Sequence, residues 1–171
     1  MSIKIAHSMS ESAREGLDLL KRGAPALKHG RAGKPHATIF TLSKDETTLT
    51  WLGNQRSSIV GSFAGKKDKK RELNLSDVVE LLVGRESAVF KRRKDKDKDD
   101  NEHLSLSLVT KGALPAPPSA DGEDEPDPTG GRETLDVSFD SDENFGLWLA
   151  ALKYLLTRNQ QADLSKKKTN D

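Results

Sequence analysis

The sequence predicts a mainly β fold with one principal helix: about seven antiparallel strands forming a small barrel or sandwich, capped by a C-terminal amphipathic helix. Two alternating runs argue for the strands. L-S-L-S-L-V puts Leu104, Leu106 and Leu108 on one face, and T-L-D-V-S-F does the same for Leu135, Val137 and Phe139. The third observation is the helical stripe of Phe145, Trp148, Leu149, Leu152, Leu155 and Leu156, wide enough to plug a core. A sheet with one apolar face must pair with another or close on itself, and a single helix then covers an open end.

Residues 1–9 show no periodicity and read as a disordered lead. Ser10 or Ser12 can cap a short helix carrying Leu17 and Leu20 on one side. Short β-type runs follow: A-L-K-H, A-T-I-F-T-L-S and T-L-T-W-L, the last two joined by K-D-E-T, which has the polarity of a tight hairpin. After E-L-N-L-S comes D-V-V-E-L-L-V-G, nearly continuous in apolar residues, as expected of a strand buried on both faces. Ser141 is the expected N-cap of the final helix, with Asp142 and Glu143 in its first turn. The folded domain is therefore expected over 10–158. Mobile charged loops are expected at 61–71, 91–103 and 110–131, and a polar, frayed tail at 159–171.

Of the 171 residues, 33% are hydrophobic and 32% charged, so a compact core is expected on only part of the chain. A net charge of +1 speaks against a wholesale nucleic-acid binder. The basic run Arg92–Lys98 is cancelled by the interleaved Asp95, Asp97, Asp99 and Asp100. With no cysteine, disulfides, thiolate nucleophiles and Cys-based zinc sites are excluded. The histidines lack metal-ligand spacing, and no serine sits in G-x-S-x-G, so no catalytic site, metal or cofactor is expected. No run is long enough for a membrane span, the N-terminus lacks a signal-peptide core, and Ser2 excludes N-myristoylation. An intracellular, soluble chain is expected.

K-H-G-R-A-G-K-P-H, from Lys28 to His36, is the one stretch that looks like a phosphate cradle. It is not a nucleotide P-loop. Gly30 and Gly33 are too close together, Pro35 replaces the Mg²⁺-binding hydroxyl, and a β-type run follows instead of a helix. A phosphate on some other molecule remains open. A second basic run, Lys66 to Arg71, reads as a loop between the third and fourth strands.

The residues in this order resemble a pleckstrin homology domain. L-K-R-G-A-P-A-L-K-H-G-R-A-G-K-P-H followed by F-T-L-S-K-D-E-T-T-L-T-W is similar to the opening of phospholipase C-type members, and to plant proteins that pair such a domain with a FYVE module. D-V-V-E-L-L-V-G-R-E-S-A-V-F-K-R resembles the family's fifth strand and following turn. R-E-T-L-D-V-S-F and W-L-A-A-L-K-Y-L-L, with Trp148, complete the likeness from about Leu17 to Thr157. The resemblance implies a seven-stranded antiparallel barrel capped by a helix, no catalysis and no cofactor. It also implies binding to anionic membrane lipids, phosphoinositides with modest specificity, by a monomeric, cytoplasmic, peripheral membrane-targeting or adaptor module. Protein partners, or a regulatory role within a larger phospholipase-like enzyme, are the alternatives.

In lipid-binding members of the family a lysine precedes a basic-x-Arg pattern that reaches into the second strand. Lys28 matches the lysine and Lys34 or His36 the middle position, but Thr38 stands where the arginine is expected. Threonine lacks the rigid fork that grips phosphate in two places. The headgroup site implied by the resemblance comprises Lys28, Arg31, Lys34 and His36 from the first loop, with Lys66, Lys67, Lys69, Lys70 and Arg71 from the second. The acidic stretch Asp121–Asp127 would lie beside it and could compete with lipid.

Overall fold

In the computed structural model the described residues are 9–30, 34–52, 70–91, 102–113 and 132–169. The elements run α1 (Glu11–Arg22), β1 (Ala24–His29), β2 (His36–Leu42), β3 (Thr48–Leu52), β4 (Lys70–Asn74), β5 (Val78–Val83), α2 (Ala88–Lys91), β6 (Ser105–Ala113), β7 (Arg132–Ser138) and α3 (Asp142–Thr169). Short 3-10 turns at Leu75–Asp77 and Glu102–Leu104 precede β5 and β6. All strand pairs are antiparallel and form one seven-stranded sheet in the order β4-β3-β2-β1-β7-β6-β5. The β barrel or sandwich with a C-terminal helix expected from the pattern is the observed fold.

The sheet curls around one apolar cluster to which every strand and both long helices contribute. At its centre Trp148 of α3 is fully buried. Its ring packs edge-on to Phe40 at 5.3 Å and against Phe139 at 5.0 Å, while Trp51 reaches Phe40 at 5.5 Å. Aromatic side chains bury large areas and prefer such tilted contacts, so Trp148 fixes where the helix sits on the sheet. Leu152 and Leu155, one and two turns on, are equally buried. Ser141 caps the helix as expected, accepting the Asn144 backbone N–H at 3.2 Å.

Helix α1 is capped by Ser10, whose Oγ accepts from the Ala13 N–H at 3.1 Å. It buries Ala13, Gly16, Leu17 and Leu20 and lies against α3, so the sheet is closed by two helices. Gly16 makes this possible: a Cβ there would stand 2.1 Å from the Leu147 carbonyl oxygen and 2.9 Å from the Ala151 Cβ. The hairpin between β2 and β3 braces the pair. Glu46 adopts φ 62°, and its carboxylate takes Lys21 of α1 at 2.6 Å and Arg158 of α3 at 2.6 Å. Partial burial works against that charge, but the two hydrogen bonds outweigh it and hold the carboxyl below its ordinary range.

Three expectations are corrected. The apolar run of β5 is an edge strand, not one buried on both faces. Val79 and Val83 are 42% and 47% exposed, and a register irregularity falls between Val78 and Glu80. Length and apolarity made the run look central, but neither says how many neighbours a strand has. Lys70 and Arg71, read as loop, are the first residues of β4, and 110–113 continue β6. The tail read as frayed from 159 is helical to Thr169, where Gln, Ala, Leu and Lys are good helix formers and Lys166–Lys168 complement the negative end of the dipole.

Replacing Gly16 with Ala should lower stability by about 1–3 kcal/mol in urea denaturation, because α1 must shift off α3. Gly146→Ala, at a helical glycine with nothing within 4 Å of the added methyl, should be neutral or stabilising by up to about 1 kcal/mol.

Candidate anion-binding site

The pleat of β1 places Ala24, Ala26 and Lys28 on the same, core-facing side. The alanines are buried under Phe40 and its neighbours, and Lys28 emerges, half-buried, where the barrel opens. β2 repeats the arrangement opposite. Phe40, Thr38 and His36 are the register partners of Ala24, Ala26 and Lys28. On the far wall β3 and β4 set Arg71 opposite Trp51. Residues of β1, β3, β4, β6 and β7 line a cleft of ≈ 410 Å³ whose walls include Lys28, Trp51, Lys70, Arg71, Thr110 and Glu133.

Burial, then the nearby Arg71 guanidinium, pull the Lys28 ammonium below its ordinary value of 10.5, while Asp136 and Glu133 pull it back. The His36 imidazole is also lowered from 6.5. Burial is the main cause, Lys28 and Arg71 add to it, and a hydrogen bond with the Lys34 backbone opposes it. The inward wall is thus a cation pair with a neutral-leaning imidazole beside it. The indole Nε1 of Trp51 and the Nε2 of His36 are shielded and have no hydrogen-bond partner among the described residues. Thr38, at the expected arginine position, donates its hydroxyl to the Leu52 carbonyl at 3.3 Å.

Of the residues expected at the site, Lys28, Lys70 and Arg71 line the cleft and His36 stands beside Lys28. Lys34 is exposed at the end of the first loop. Arg31, Lys66, Lys67 and Lys69 fall outside the described residues, as do Arg92–Lys98 and Asp121–Asp127. A larger hollow, ≈ 580 Å³, lies between α1 and α3, with Met9, Ala13, Leu149, Ala150 and Tyr154 among its lining. Of its two cations, Arg158 is already committed to Glu46, so it offers no converging charge.

Sequence reasoning missed the layer behind Lys28. The serines of β6 and the polar residues of β7 face away from the core, yet Ser105, Ser107, Asp136 and Ser138 are buried, with Ser87 and His29. The short helix α2 covers them, laying Phe90 on His29 at 4.7 Å between ring centroids. Asp136 Oδ1 accepts from Ser107 at 2.6 Å and from Ser87, and Oδ2 accepts from Thr134 at 2.7 Å. His29 Nε2 meets Ser138 Oγ at 2.7 Å. The available signal was an aspartate set between Leu135 and Val137, opposite a serine-rich strand.

A model of the pleckstrin homology domain matches residues 13–157. The chain belongs to that family. Among solved structures, inner membrane complex sub-compartment protein 3 of Toxoplasma gondii aligns over 90% of each chain with TM-score 0.52 and 12% identity. Sub-compartment protein 1 from the same organism aligns over 91% of this chain and 99% of its own, with TM-score 0.51 and 16% identity. At such identities the likeness speaks to the pleckstrin homology fold alone. The family is generally non-catalytic. Among the described residues no group of His, Asp or Glu could hold a metal ion, and no helix is long and apolar enough to cross a membrane.

The buried carboxyl of this pleckstrin homology domain sets a pH test. Burial raises Asp136 above 3.8, against its three hydroxyl donors and Lys28. A raised acid binds more protons folded than unfolded, so its contribution to stability declines as pH climbs from about 4 through the raised value. Wild type should therefore lose stability relative to Asp136→Asn between pH 4 and pH 7 in urea denaturation. A difference that stays flat would contradict the assignment.

Proposed function

We propose that this domain binds anionic membrane lipids, phosphoinositides with modest specificity among them, in the cleft between Lys28 and Arg71. It would serve as a non-enzymatic, monomeric, peripheral membrane-targeting or adaptor module on the cytoplasmic side. The supporting observation is the convergence of the half-buried Lys28 and the exposed Arg71 on one cleft, with Lys28 held where burial and Arg71 both disfavour its charge. An anionic headgroup relieves both penalties at once. Arg71 supplies the two-point grip on phosphate and Lys28 a point charge, while the exposed Lys34 and Lys70 would add about 1 kcal/mol each near an anionic surface. Arg31, Lys66, Lys67 and Lys69 enter this reading from sequence alone, as does the likeness of the first loop to phospholipase C-type members.

Thr38 favours a second reading, a protein-binding adaptor with little lipid affinity, because its short hydroxyl is already engaged by a β3 carbonyl. Vesicle cosedimentation separates the two. With phosphatidylinositol 4,5-bisphosphate vesicles, Lys28→Gln or Arg71→Gln should each weaken binding about fivefold and the double variant about thirtyfold. Raised salt should weaken the wild type as well. Binding untouched by the double variant would overturn this site, and wild type that ignores every anionic vesicle would leave the adaptor reading.

A further inference from the structure

Resting on that reading, we propose that His36 is a proton-coupled ligand of the cleft. It takes up a proton from solvent as an anion binds and donates Nε2–H to it, so the grip on an anionic surface tightens as pH falls. The argument begins with position. His36 is the first residue of β2, the register partner of Lys28, on the same inward side as Thr38 and Phe40. Its Nε2 is shielded from solvent and has no hydrogen-bond partner among the described residues. A shielded polar atom with no partner is costly, and a ligand oxygen is one way to satisfy it.

The surrounding charges explain why the proton is absent until an anion arrives. Lys28 from β1 and Arg71 from β4 both repel a charged ring, while the Lys34 backbone at the loop end favours it. From β7, Glu133 and Asp136 act on Lys28, and the Lys34 and Lys70 side chains stand exposed nearby. An anion seated between Lys28 and Arg71 offsets their field at the imidazole, so the ring's charged form is less disfavoured. The ring then gains its second proton and, in Nε2–H, a hydrogen-bond donor beside Lys28 that the same ligand can take up. By linkage, a site that takes up a proton on binding holds its ligand more tightly at low pH.

The probe must not titrate in the same range. Phosphate monoesters do, near pH 6, so vesicles of phosphatidylcholine with phosphatidylglycerol, a diester, are the right surface. Cosedimentation of wild type and His36→Gln at pH 5.5, 6.5 and 7.5, at fixed low ionic strength, provides the test. From pH 7.5 to 5.5 wild type should tighten about three- to tenfold more than the variant does. Equal steepness in the two proteins, or binding indifferent to pH, overturns the proposal and leaves the lipid-binding reading intact. Absence of binding at every pH overturns the proposal, and overturns the lipid-binding reading as well where phosphatidylinositol 4,5-bisphosphate vesicles are also ignored. Should the variant fold poorly, NMR titration of the wild-type imidazoles with and without phosphatidylglycerol bilayer discs decides. The discs should raise the His36 midpoint, and an absent rise overturns the proposal.

Discussion

The pleat of β1 is the constraint on which the rest of the domain depends. Ala24 and Ala26 are buried on the core side, Ala24 in register with Phe40, whose ring packs on Trp148. Alternation then leaves Lys28 facing the same way, one pair of residues beyond the packed interior. A lysine can occupy that place because its stem lies along apolar surface while its ammonium reaches the open end. The same pleat on β4 sends Arg71 toward it from the opposite wall, in register with Trp51. Two cations facing one another is an unfavourable arrangement for the free domain and a favourable one for an anion.

Such an arrangement needs walls that do not yield. At the helix layer, Gly16 lets α1 and α3 touch backbone to backbone, and Glu46 ties both helices to the β2–β3 turn. Behind Lys28, hydroxyls from Ser87, Ser107 and Thr134 converge on Asp136 and bind β7, β6 and the α2 segment together. Each member of that cluster is buried or partly buried, and a satisfied polar network of this kind specifies one packing. Its carboxyl also acts on Lys28 across the sheet. The outer layer thus both stiffens the site and tempers its charge.

Much of this was legible in the sequence, and the exceptions share a physical cause. Leu104, Leu106, Leu108 and the Trp148 stripe announce themselves because each buries one face of a regular element. Periodicity reports one face at a time and says nothing about neighbours. It therefore misjudged β5, an edge strand whose composition resembles a central one, and gave no hint that Ser105 and Ser107 lie beneath α2. The basic residues of the cleft were visible as composition, whereas the facing of Lys28 and Arg71 follows only from strand register. Reading Lys66 to Arg71 as one loop concealed that its last two residues belong to a strand, where alternation selects Arg71 to point inward.

The account stands on the half-buried Lys28 and the exposed Arg71 facing one cleft, and an NMR pH titration of the Lys28 Nζ tests that most directly. In the free domain Lys28 should titrate below 10.5, rise toward that value in Arg71→Gln, and rise again in wild type when soluble inositol phosphate headgroup is added. A Lys28 that titrates at its ordinary value in the free domain, unmoved by the arginine substitution or the headgroup, would contradict it.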